Sequence, residues 1–173
     1  MAAADHAEGR VTPAVADRAK VSDIIGAAEA PFGRGAGESP YAVQQDLQKT
    51  MQELVGIIRT QSELDQALAE LDKLDERASR LSVQGGRAYN PGWNLATDLP
   101  SMLTVSRLVT KGAIERKESR GGHTRDDFPS ADAEMGKVNF VQRLGPDGSY
   151  TITPEPIPVM PPELQSLFEE ESH

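Results

Sequence analysis

The sequence predicts a mainly α fold, an antiparallel three-helix bundle followed by a loop and a small β-hairpin C-terminal tail. Three observations carry this. Apolar residues recur at three- and four-residue steps across residues 43–58, 64–81 and 95–113, the spacing of one helix face. Glycine, proline and capping residues punctuate those runs. Beyond Pro129 the pattern changes to β-prone runs on either side of Gly145-Pro146-Asp147-Gly148, a hairpin signal.

Residues 1–38 carry no sustained apolar stripe and are expected to be a flexible N-terminal segment and linker. Within them, 2–7 and 21–28 suit short helices, and Pro31-Phe32-Gly33-Arg34-Gly35-Ala36-Gly37 reads as a loop by its breakers. Ser39-Pro40 opens the first strong helix, with Ser39 as N-cap and Pro40 at the first helical position. Its face is Val43, Leu47, Met51, Leu54 and Ile58. Ser62 is expected to cap the second helix, whose stripe is Leu64, Leu68, Leu71, Leu74, Ala78 and Leu81 and whose stop is Gly85-Gly86. The connection is short, so these two helices should form a hairpin.

Asn90-Pro91-Gly92 makes a turn into the third helix, with Trp93 as a core anchor. Leu95, Leu99, Met102, Val105 or Ser106, Val109 and Ala113 form its stripe. Pro100 lacks a donor and crowds the preceding turn, which predicts a kink or a restart at Asp98 or Leu99. The helix is expected to end near Ser119. The bundle with its following loop thus spans 39–129, and 130–173 holds the hairpin, a Pro-rich extended tail and a last short helix over 163–170.

Charge and composition remove several function classes. Of 173 residues, 27 are acidic and 18 basic, giving a net charge of −9 with no concentrated basic face for nucleic acid or an anionic membrane surface. The chain has no cysteine, so disulfides and thiolate metal sites are excluded. No apolar run reaches membrane-spanning length, and the first residues do not read as a signal peptide. These features predict a cytoplasmic chain with no direct membrane insertion.

Two motifs invite a chemical reading. The stretch GRGAGES resembles a phosphate-cradling loop only in its glycines; the spacing is wrong and no strand precedes it, so a linker is expected. In 116–129, RKESRGGHTRDDFP, arginines and carboxylates of both signs surround Gly121-Gly122. His123 near Glu118, Asp126 and Asp127 could serve acid–base chemistry, but nothing supplies a nucleophile, base and orienter together, and the other histidines lie at the chain ends. No catalytic, cofactor-binding or metal residue is assigned. Structural ion pairing is the stronger reading, since arginine forks match carboxylates across a contact.

ESRGGHTRDDFP resembles the signature near the C-terminus of the flavoprotein subunit of succinate dehydrogenase and fumarate reductase, shared more loosely with L-aspartate oxidase. The pieces YAVQ at 41–44, VGIIR at 55–59 and RAYNPGW at 87–93 are similar to the same family in the same order. The resemblance covers roughly 39–162, with Met135 near the place where family members often carry a Trp. It implies a C-terminal helical domain that braces an FAD domain in succinate/fumarate oxidoreduction. FAD belongs to the full-length family and none is expected on this chain alone, because the substrate-clamping and FAD-binding positions lie upstream of the part represented. The implied partners are an FAD-binding domain, in cis or in trans, and an iron–sulfur subunit. Self-association of the isolated domain and a peripheral place at the inner membrane face through partner subunits also follow. Glu118, Arg120, His123, Arg125 and Asp127 are expected to form the domain-docking interface. The alternative is a stand-alone interaction module that has lost the catalytic FAD domain.

Overall fold

The computed structural model describes residues 15–162 and Leu164; the helical expectations at 2–7 and 163–170 lie essentially outside them. Among the described residues, four α-helices and two small strand pairs make up the fold. They are α1 (Arg18–Glu29), α2 (Pro40–Leu54), β1 (Ile58–Arg59), α3 (Gln61–Ala78), α4 (Pro91–Glu115), β2 (Thr124–Arg125), β3 (Val138–Leu144) and β4 (Tyr150–Pro156). Helices α2, α3 and α4 pack pairwise as the expected three-helix bundle. Contacts between opposite helix ends show the antiparallel arrangement. Arg77 at the end of α3 reaches Glu38 and Asp46 around the start of α2, and Leu64 and Ala67 near the start of α3 cluster with Ala113 near the end of α4.

The main core joins Val43 and Leu47 to Leu71, Leu74, Leu81, Val83, Ala96, Leu99 and Leu103. A smaller cluster of Val55, Leu64, Ala67 and Ala113 lies near the β1 connection. Trp93 packs against the main core, with its ring 5.3 Å from Phe32 and its indole N–H donating to the Ala28 carbonyl. Thus α1, which itself buries nothing, is tied to the bundle at its C-terminal end.

Several sequence expectations shift, each for a local reason. Ser39 holds the N-cap position of α2, but its hydroxyl makes no capping bond. Thr60, not Ser62, caps α3: Thr60 accepts from Glu63 N–H and Glu63 reciprocates on Thr60 N–H, a capping box that needs its acid three residues on. The α2–α3 connection is longer than a tight hairpin because residues 58–59 leave the helix to pair with β2, and Ile58 becomes exposed. Helix α3 ends at Ala78, well before Gly85-Gly86. Its chain turns there because Leu81 and Val83 enter the core in extended form, bonding back to Glu38 and Pro31.

Helix α4 runs through Pro100 without a restart. Buried Ala96, Leu99 and Leu103 flank the proline, and their burial, about 1.5–3 kcal/mol for each leucine, offsets the roughly 3 kcal/mol that an interior proline costs. The buried stripe is also rotated, to Gly92, Ala96, Leu99, Leu103, Thr110 and Ala113, leaving Val105 and Val109 exposed. Thr110 is tolerated inside because its hydroxyl donates to Ser106 O within the helix.

The hairpin forms as expected, with Val138 opposite Pro156 and Leu144 opposite Tyr150. Gly148, at φ +80°, supplies the turn conformation that side-chain-bearing residues avoid. Prolines 154 and 156 fit because a two-stranded ribbon leaves each strand an unpaired edge. Gln142 donates to the Leu108 carbonyl, seating β3 on α4.

Candidate functional site

The charged stretch after α4 closes on itself. Arg120 and His123 exchange backbone bonds of 2.8 and 3.0 Å around Gly121-Gly122, and Gly121 takes φ +58°. A positive φ at the first central position is what a II′ turn requires, which explains a glycine there. Ser119 holds the neck: its hydroxyl donates to Phe128 O and accepts from Arg125 N–H. Strand β2 then pairs in parallel with β1, Ile58 opposite Thr124 and Arg59 opposite Arg125.

Arg125 is fully buried, and each of its donors is used. Its fork grips Asp127 at 2.7 Å through two nitrogens, while Nη1 donates to Ala113 O and Nη2 to Gln61 Oε1. Asp127 in turn accepts from Gln61 N–H at 2.9 Å, the first residue of α3. One ion pair therefore places a cation on the last carbonyls of α4 and a carboxylate on the first N–H of α3, the favourable sign at both helix ends. It also explains why α4 stops at Glu115 rather than near Ser119: Arg125 occupies carbonyls that a further turn would have used. The Arg125 bond, with an Asp127 backbone contact and Gln61 behind it, holds the Asp127 carboxyl down at about 2.

Glu118 forms a second centre, also fully buried. It accepts from Arg120 through two nitrogens, from Arg116, and from Asp132 N–H at 2.8 Å. Chiefly through Arg120, these donors outweigh burial and hold its carboxyl down at about 2. Arg116 goes on to donate to Met135 O and Val138 O and lies 5.0 Å over the Phe140 ring, which fixes the start of the hairpin. Gly136 leaves room for the Arg120 guanidinium, which a Cβ there would approach to 2.6 Å.

His123 is half-buried between two partners of fixed polarity. The Arg59 guanidinium can only donate, so Nδ1 accepts at 2.7 Å; Nε2 then carries the proton and donates to Arg116 O at 2.9 Å. Burial lowers its pKa, and Arg59, Arg125 and Arg116 add to that against the Arg116 carbonyl. The ring is neutral and structural in this setting, with no nucleophile beside it.

The five residues expected to face a partner thus divide. Glu118 and Arg125 point inward and find their counter-charges within the chain, whereas Arg120 is exposed and His123 and Asp127 remain partly accessible. Sequence reasoning gave no separate role to Arg116, Arg59 or Gln61. Arg116 had a legible signal, two residues before Glu118; the other two depend on the β1–β2 pairing.

Around the GRGAGES stretch, an open cavity is lined by Gly35, Gly37, Ser39, Tyr41, Asn90 and neighbours, without a lysine or arginine. Gly37 has a packing duty instead, since a Cβ would lie 2.4 Å from Arg80 O. Among the described residues no three His, Asp or Glu side chains gather as a metal set, and the sheets are two-stranded ribbons with no βαβ unit to hold a dinucleotide.

A family model for the fumarate reductase flavoprotein C-terminus matches residues 44–166. The fumarate reductase flavoprotein subunit of Helicobacter pylori strain J99 is 36% identical over 98 residues, 56% of this chain and 14% of that protein. The succinate dehydrogenase flavoprotein subunit of Coxiella burnetii is 31% identical over 132 residues, 73% of this chain and 22% of that protein. In three dimensions, Mycobacterium smegmatis Sdh1, solved in complex with UQ1, superposes with a TM-score of 0.87 at 39% identity, covering 98% of this chain and 29% of that one. The chain therefore spans well under a third of the proteins it resembles, and it belongs to the C-terminal domain family of succinate dehydrogenase and fumarate reductase flavoprotein subunits.

Proposed function

We propose that this chain is the bracing domain of an FAD-dependent succinate dehydrogenase or fumarate reductase flavoprotein, docked on the FAD-binding part in cis or in trans. The observation that carries this is the loop itself. Glu118 and Arg125 lock it from behind, while the Gly121-Gly122 turn and Arg120 are exposed and His123 and Asp127 remain partly accessible. A turn without side chains lets another backbone approach closely, and pre-organised charged groups lose little entropy on contact. FAD and the dicarboxylate would be held by the FAD-binding part, and electrons would pass on to an iron–sulfur subunit. Any peripheral association with the inner membrane face would come through such partners; among the described residues no helix is long and apolar enough to cross a membrane.

The test is to co-express the chain with a flavoprotein relative that lacks its own matching C-terminal share. The expected result is a one-to-one complex that retains FAD and reduces dye with succinate, while the chain alone stays colourless. Failure to associate, or stoichiometric FAD on the chain alone, contradicts the proposal.

A further inference from the structure

Next to the loop, β1 has three properties that its own fold does not use. Ile58 in the strand and Ile57 just before it are 63% and 68% exposed, so two adjacent large apolar side chains stand bare beside the loop. The pairing with β2 uses the carbonyls of Ile57 and Arg59, which accept from Thr124 and Asp126 N–H. Ile58's own backbone groups are therefore turned to the other edge, where no strand follows among the described residues.

Arg59 is the third feature. Arg116, Arg120 and Arg125 each have a carboxylate within the chain, but among the described residues Arg59 has none. It donates to Gly56 O and to His123 Nδ1 and leaves its other terminal nitrogen without a partner. Burial and the nearby Arg125 pull its pKa below the ordinary value, the mark of a cation short of counter-charge.

Resting on the docking function proposed above, we infer that Ile57, Ile58 and Arg59 form a second part of that interface, seating an apolar segment of the FAD-binding part that carries a carboxylate for Arg59. Charge complementarity selects a carboxylate, because a charge-assisted hydrogen bond to the remaining terminal nitrogen would supply the counter-charge that Arg59 lacks within the described residues. A second copy of the chain is disfavoured as occupant: a two-fold contact through this strand would bring Arg59 close to its own symmetry mate. The bulk of the subunit is available instead, since this chain covers 29% of the Sdh1 chain that it superposes on.

The experiment uses the assembled flavoprotein carrying this domain, with a photo-crosslinking phenylalanine derivative at position 58, or at Lys73 as a control on the outer face of α3. Crosslinking from position 58, not 73, into the FAD-binding part is expected. Arg59→Glu and Ile58→Asp should each speed FAD release about tenfold or more, the loss of roughly one charge-assisted or apolar contact. Arg59→Lys should restore most of it. Ile58→Asp lies outside the His123 hydrogen bonds, so it reports on docking even where Arg59→Glu disturbs the loop. Crosslinks to an iron–sulfur subunit or to a second copy overturn the inference, as do unchanged FAD release rates in both variants. If the FAD-binding part crosslinks from position 120 but not 58, the bracing function stands and this surface falls. If it crosslinks from neither, both fall.

Discussion

Glu118 shows why a carboxylate ends up buried in an otherwise leucine-lined domain. Two arginines and a backbone N–H replace its water, so its charge is retained at no net desolvation loss. Glu118→Gln removes the counter-charge of both guanidinium groups and is expected to cost about 2–3 kcal/mol in urea unfolding, below the usual cost of breaking a buried pair because Arg120 opens to solvent and Arg116 keeps its bonds to Met135 O and Val138 O. The pH dependence belongs to the same residues. Glu118 and Asp127 fall to about 2 from 4.5 and 3.8, so their stabilisation is complete above those upper values and is lost as pH drops toward 2. His123 is also lowered from 6.5, so below that pH the unfolded chain takes up a proton that the folded chain resists. Stability is therefore expected to fall on acidification in two stages, the first beginning near 6.5. His123→Gln, which can accept from Arg59 and donate to Arg116 O without titrating, should abolish the first stage and leave the second. An unchanged upper slope would contradict this.

At the scale of elements, each helix end has a residue that can be tested. Thr60→Ala removes one half of the α3 capping box and is expected to cost about 1 kcal/mol in thermal or urea unfolding. Gly37→Ala places a methyl group against the Arg80 carbonyl, which is backbone and cannot step aside, so a loss of about 2 kcal/mol and a lower Tm are expected. The helices themselves were legible because Val43, Leu47, Leu64, Leu71 and Leu74 keep strict spacing. Their ends were less so. Ser62 and Thr60 both suit a cap, and each has an acid three residues on, Asp65 and Glu63, so spacing alone did not separate them. The α4 face misled for a different reason: periodicity was read from its larger residues, while the buried positions include Gly92, Ala96 and Ala113. Pro100 was over-weighted, because propensity is local and the leucines beside it are held by the whole core.

For the whole molecule, what sequence showed was a family likeness along most of the chain and a charged loop at its centre. It could not divide that loop into inward and outward residues. Arg125 finds Ala113 and Gln61, and Arg59 finds His123, only once β1 and β2 pair across long separations. That division governs the central claim, a rigid domain whose loop and β1 meet the FAD-binding part. The most direct measurement is hydrogen–deuterium exchange of this chain alone and within the assembled flavoprotein. Slower exchange is expected on assembly at residues 120–126 and at Ile58, with little change along the outer α2–α3 groove that includes Lys49, Glu53 and Lys73. Unchanged exchange in 120–126, with protection gained in that groove instead, would contradict it.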